Sequence, residues 1–137
     1  MRMAFTWAVG ACALGATLSS GALAQSAGEL SGAYVGPGQS CEDVFVTRNG
    51  KTSFKTPRNA FSSAILIQGG RLSTPLATCK IGRSSRDKTV ITLNLNCTNA
   101  LSPEGVKAYV LRRDDGSLVR LSGPTETGGE TYERCGR

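Results

Sequence analysis

The chain has 137 residues, with 16 Lys and Arg against 10 Asp and Glu, no histidine, and a formal charge of +6. That length makes one domain rather than two. Without histidine, hydrolases that activate serine through an imidazole base are excluded, and zinc sites lose their commonest nitrogen ligand.

Met1-Arg2-Met3 places one positive charge ahead of residues 4–18, which carry no charge. Ala22-Leu23-Ala24 follows, with Gln25 next. A basic start, a short apolar run and an Ala-x-Ala exit are the three parts of a secretory signal peptide. Residues 1–24 are therefore expected to be removed after Ala24. The run is shorter than the roughly 20 residues a spanning helix needs, so no transmembrane helix is expected in the mature form. Val9-Gly10-Ala11-Cys12 faintly resembles a bacterial lipoprotein cleavage box, which would instead leave a lipid on Cys12. The Ala-rich signal looks like those of Gram-negative bacteria and points to the periplasm or the medium. Cleavage leaves 113 of the 137 residues, and the loss of Arg2 lowers the charge from +6 to +5. Residues 25–33 are small and polar and read as a flexible leader, followed by one β domain over 34–137.

Four cysteines remain after Cys12 is removed: Cys41, Cys79, Cys97 and Cys135. An even number in a small exported domain reads as two disulfides, and three pairings are possible. No Cys-x-x-Cys occurs, so neither a thioredoxin-like site nor a closely spaced metal site is supported.

Past the leader, the chain alternates short apolar strands with turn chemistry. Residues 44–48 and 51–55 flank Asn49-Gly50, the strongest short hairpin signal, because both turn positions need positive φ. A two-residue turn puts Phe45 opposite Phe54, Thr47 opposite Thr52 and Arg48 opposite Lys51. Residues 64–67 are an apolar run that turns at Gln68-Gly69-Gly70, returns over 71–74 and is stopped by Pro75. Residues 78–83 and 89–97 form a second pair. In the longer one, Ile91, Leu93, Leu95 and Cys97 alternate with Thr92, Asn94 and Asn96, the period of a half-buried strand. A turn centred on Lys88 sets Cys79 opposite Cys97 and Ile81 opposite Leu95. One short helical turn is expected near residues 102–105, with Ser102 as cap and Pro103 first. Residues 107–113 and 117–122 flank Asp114-Asp115-Gly116, setting Leu111 against Val119 and Tyr109 against Leu121. Residues 131–135 make a last strand.

The fold class is all-β: a small antiparallel β-barrel or sandwich of about seven short strands, stapled by two disulfides. In a closed barrel the first and last strands are neighbours. That favours Cys41–Cys135 nested around Cys79–Cys97.

Little in the sequence carries catalytic chemistry. Gly36-Pro37-Gly38 lacks the Lys-Ser/Thr of a phosphate loop. Glu42 and Asp43 are adjacent and point apart in a strand, while Asp114 and Asp115 suit a turn. Asn96-Cys97-Thr98 matches a glycosylation acceptor but is read as incidental. We expect no enzyme, no cofactor and no metal. The positive charge favours anionic partners outside the cytoplasm: an envelope polymer, a lipid headgroup or an acidic protein, with nucleic acid disfavoured by export. Candidate anion-binding residues are Arg48, Lys51, Lys55 and Arg58 around the first hairpin, with Arg112 and Arg120 on the last one. Arg83, Arg86 and Lys88 crowd a further loop. The expected function is a non-catalytic, exported binding module for an anionic envelope component or acidic protein. The alternative is a protein inhibitor or envelope-assembly partner that binds through an apolar patch.

Overall fold

The structure, a computed structural model, describes residues 27–98 and 105–136. The expected signal peptide, Cys12 and residues 102–104 of the expected helical turn lie outside them. The described residues form these elements: β1 (Gly32–Val35), α1 (Cys41–Val44), β2 (Phe45–Arg48), β3 (Lys51–Phe54), β4 (Ala64–Gln68), β5 (Arg71–Ser73), β6 (Thr78–Asp87), β7 (Val90–Cys97), β8 (Val106–Arg112), β9 (Leu118–Leu121) and β10 (Gly129–Arg134). Eight strands close an antiparallel barrel in the order β1-β10-β9-β8-β7-β6-β5-β4, and β2-β3 is a separate two-stranded sheet. Strands β4 to β10 form an up-and-down meander, and β1 closes it by pairing with β10 on one side and β4 on the other. The architecture is a barrel rather than a sandwich, with ten strands among the described residues where about seven were expected.

Alternation explains the interior. Tyr34, Ile65, Ile67, Leu72, Cys79, Ile91, Leu93, Leu95, Val110, Leu118 and Tyr132 pack together inside the barrel. Each lies on the inward register of its strand, and the intervening residues face out. The Cys79–Cys97 disulfide joins directly opposed residues of β6 and β7. Its register matches the expectation for a different reason. The connecting turn has two residues, with Lys88 at φ +53°. A bulge between Ile81 and Ser84 then adds a residue to β6 and shifts the pairing by one.

A second apolar cluster lies outside the barrel wall. Ala33 and Val35 of β1 and Ala64 and Leu66 of β4 face outward and are covered by Val44, Phe45 and Phe54. The hairpin register is the expected one, Phe45 to Phe54 and Arg48 to Lys51. Asn49 and Gly50 take φ +51° and +72°, as the tight turn demands. The two phenyl rings lie 4.9 Å apart between centroids. Ser40 caps α1, its hydroxyl accepting from the Asp43 N–H, and Cys41–Cys135 ties this cover to the residue after β10.

The expected leader is the main correction. Residues 27–33 are not a loose tail: β1 starts at Gly32, and Leu30 is fully buried in the barrel core. The Tyr34 hydroxyl donates to the Leu30 carbonyl at 2.8 Å. Arg112 donates to the Glu29 carbonyl (3.1 Å), Arg134 donates to the Ser31 carbonyl (3.0 Å), and Arg86 pairs with the Glu29 carboxylate. Leu30 plugs the end of the barrel where the β4-β5, β6-β7 and β8-β9 turns lie, and three arginines clasp the plug.

Candidate binding surfaces: the basic wall and the open barrel end

The six candidate cations do not form one site. Arg48 and Lys51 stand at the tip of the β2-β3 hairpin, exposed and directly opposite one another. Lys55 and Arg58 lie at its base, with the Arg58 guanidinium 5.0 Å from the centre of the Phe54 ring. Arg112 belongs to the plug. Arg120 pairs with Val110 on the inward register and lines the other end of the barrel.

Two residues absent from the candidate set join the hairpin tip. Gln68 donates through Nε2 to the Thr52 carbonyl at 3.1 Å, pinning the hairpin beside the end of β4. Arg71 is the direct partner of Gln68, and Lys80 is the direct partner of Arg71. Both are exposed on the outer face, because their neighbours Leu72 and Cys79 point in. Two like-charge cross-strand pairs, Arg48/Lys51 and Arg71/Lys80, thus flank one hydrogen bond on the outer wall. Like charges directly opposed are unfavourable. Among the described residues none of the four has an acidic partner, and the ion pair formed is Arg86–Glu29 at the plug. The four-residue turn at 74–77 sets the Arg71/Lys80 pairing, with the Thr74 N–H donating to the Ala77 carbonyl and the Ala77 N–H to the Thr74 hydroxyl. That turn is the signal that locates these two cations.

The second surface is the end opposite the plug. There, among the described residues, the barrel opens into a cavity of about 640 Å³. Its wall is apolar: Ile65, Leu72, Leu95, Val110, Ala108 and the Cys79–Cys97 bridge. Ser63, Arg120, Glu130 and Tyr132 supply its polar side. The Tyr132 hydroxyl donates to Glu130 Oε2 at 2.7 Å, and Ser63 Oγ donates to Glu130 Oε1 at 3.2 Å. Ser63 Oγ also lies 3.3 Å from the Tyr132 hydroxyl. Burial pushes the Tyr132 phenol above its usual 10.0; the Ser63 contact works against that rise, Glu130 adds to it, and Arg120 opposes it. The phenol therefore stays protonated at neutral pH and its proton is committed to Glu130. These groups can orient a polar head while the wall takes an apolar body. Sequence reading placed Arg120 on a basic hairpin and gave Glu130, Tyr132 and Ser63 no role. Only the closure of the barrel brings Ser63 to residues 130 and 132.

Among the described residues there is no cluster of metal-ligating side chains, and no helix is long and apolar enough to cross a membrane. Comparison with protein-family models, curated proteins and solved structures finds no match to the chain. The two disulfides are compatible with an extracytoplasmic protein.

Proposed function

We propose that the protein is an extracytoplasmic, periplasmic and non-catalytic binding module whose basic outer wall engages an anionic envelope component bearing phosphate or carboxylate groups. The observation that supports this most is that two like-charge pairs without acidic partners among the described residues, Arg48/Lys51 and Arg71/Lys80, lie on the two strand pairs joined by the Gln68–Thr52 contact. A polyanion laid across the wall relieves both repulsions at once. The Cys41–Cys135 bridge and the buried Phe45–Phe54 pair hold the hairpin's half of the wall in place.

The test is co-sedimentation of the oxidised protein with isolated envelope material at low and high salt. Retention is expected to fall steeply as salt rises. Arg71→Glu with Lys80→Glu should weaken it by roughly tenfold or more, at about 1 kcal/mol per cation near an anionic surface. Arg113→Glu, away from the wall, should change it little. Retention that ignores both salt and the double reversal would overturn the proposal. The apolar alternative is favoured by one observation: Phe61, Leu76 and Val106 are large, exposed hydrophobics, and Leu76 and Val106 line the open barrel end. Salt-resistant capture that is lost in Phe61→Ser would support it.

A further inference from the structure

We infer that the open end of the barrel is a binding site for a small amphipathic molecule, with an apolar body inside the barrel and an anionic head at Arg120. This site goes beyond the outer wall: it uses the inward faces of the strands, while Arg71 and Lys80 occupy the outward faces of β5 and β6.

The argument begins with the difference between the two ends. At the plugged end the chain fills its own interior with Leu30, Tyr34 and Leu118, each fully buried. At the other end the inward side chains include the short Ala108 and the Cys79–Cys97 bridge, and among the described residues a cavity of about 640 Å³ opens there to the surface. Pockets for small ligands run from roughly 300 to 1,000 Å³ and favour the mouths of β-barrels. Eight strands enclose an interior that side chains can fill or that can hold one small ligand. This molecule does the first at one end and leaves room for the second at the other.

The head group follows from the polar side. Glu130 already accepts from Tyr132 and Ser63, so its oxygens are engaged within the wall. Arg120 is the direct cross-strand partner of Glu130 and lines the same cavity. A guanidinium has five N–H donors in a planar fork, so Arg120 has donors to spare for a carboxylate or phosphate oxygen. Exposed Leu76 and Val106 continue the apolar wall outward to the rim. An apolar tail with one anionic head meets the apolar wall and the Arg120 guanidinium with their complements, while Glu130 keeps its own donors, Tyr132 and Ser63.

The experiment uses the oxidised, folded protein and three probes: 1-anilinonaphthalene-8-sulfonate, dodecanoate and dodecanol. The sulfonate should bind with a rise in fluorescence, and dodecanoate should displace it. In the wild-type protein, dodecanoate should shift the methyl resonances of Ala108 and Val106, a readout that does not depend on any variant folding. Ala108→Trp, or Val106→Phe at the rim, should abolish binding while the near-ultraviolet dichroism of the fold is kept. Arg120→Gln should weaken dodecanoate by roughly tenfold, the range of a lost charged hydrogen bond, and leave dodecanol unchanged. Arg71→Glu with Lys80→Glu should leave all three probes unaffected, so failure of the outer wall and failure of this site are read separately. No binding up to about 1 mM, or binding that leaves the Ala108 and Val106 methyls unmoved, would overturn the site. Equal weakening of dodecanoate and dodecanol by Arg120→Gln would overturn the head-group assignment.

Discussion

Tyr34 links the wall to the plug through a single hydrogen bond. Its ring is fully buried and its hydroxyl donates to the Leu30 carbonyl. Burial raises the phenol above its usual 10.0, with Arg134 and Arg112 opposing the rise. The neutral phenol is thus favoured more in the folded state than in the unfolded one. Its contribution is complete below pH 10 and is lost as pH climbs through the higher folded-state value. Tyr34→Phe should cost about 1 kcal/mol at neutral pH for the lost hydrogen bond. It should also flatten the fall in stability above pH 10, as read by urea unfolding across the alkaline range. Ser117 gives the opposite case: its Oγ is buried without a hydrogen-bond partner among the described residues. An unpaired buried hydroxyl is unfavourable by about 1–3 kcal/mol. Ser117→Ala should therefore raise the thermal midpoint, provided the backbone bond from the Ser117 N–H to Asp115 Oδ1 at 2.8 Å is kept.

At the scale of elements, the β2-β3 hairpin needs its surroundings, since an isolated two-stranded hairpin is marginal in water. Its support is the apolar contact with β1 and β4 and the Cys41–Cys135 bridge. The bridged residues are 94 apart in sequence, against 18 for Cys79–Cys97. Chain-entropy arithmetic gives about 4–5 kcal/mol for the wide bridge and about 3 for the narrow one. Replacing both Cys41 and Cys135 by Ser should lower stability by that larger amount. It should also speed amide exchange in residues 45–54 ahead of the barrel strands. Elements with strong local chemistry were legible in the sequence. Asn49-Gly50 and Gly116 fixed two hairpin registers, and the alternation from Ile91 to Cys97 marked an interior face. What escaped depends on distant chain. Gly32 to Val35 is too short and plain to declare itself a strand, and becomes one because β4 and β10 offer it two edges. Arg112 sits where a basic residue reads as surface, but the register of β8 turns it toward Glu29. Gly82 and Arg83 gave no sign of a bulge. The cavity was invisible because it is a property of closure, not of any segment.

For the molecule as a whole, the plug decides which end of the barrel is open. Leu30→Ala removes a fully buried side chain among Tyr34, Ile67 and Leu118, and should cost about 2–5 kcal/mol. Chemical denaturation will measure that loss, and amide exchange at Tyr34 and Leu118 should rise with it. The position of β1 in the ring has a kinetic consequence. A polypeptide threaded across a membrane with its amino end leading delivers β1 first, yet β10, one of the two strands it pairs with, is the last to arrive. Until then β1 and the end of the growing meander remain unpaired edges, open to association with other chains. On the export proposed above, thiol trapping during translocation should find Cys79 and Cys97 joined early and Cys41 and Cys135 joined last, so the wide bridge records the moment at which the ring is complete.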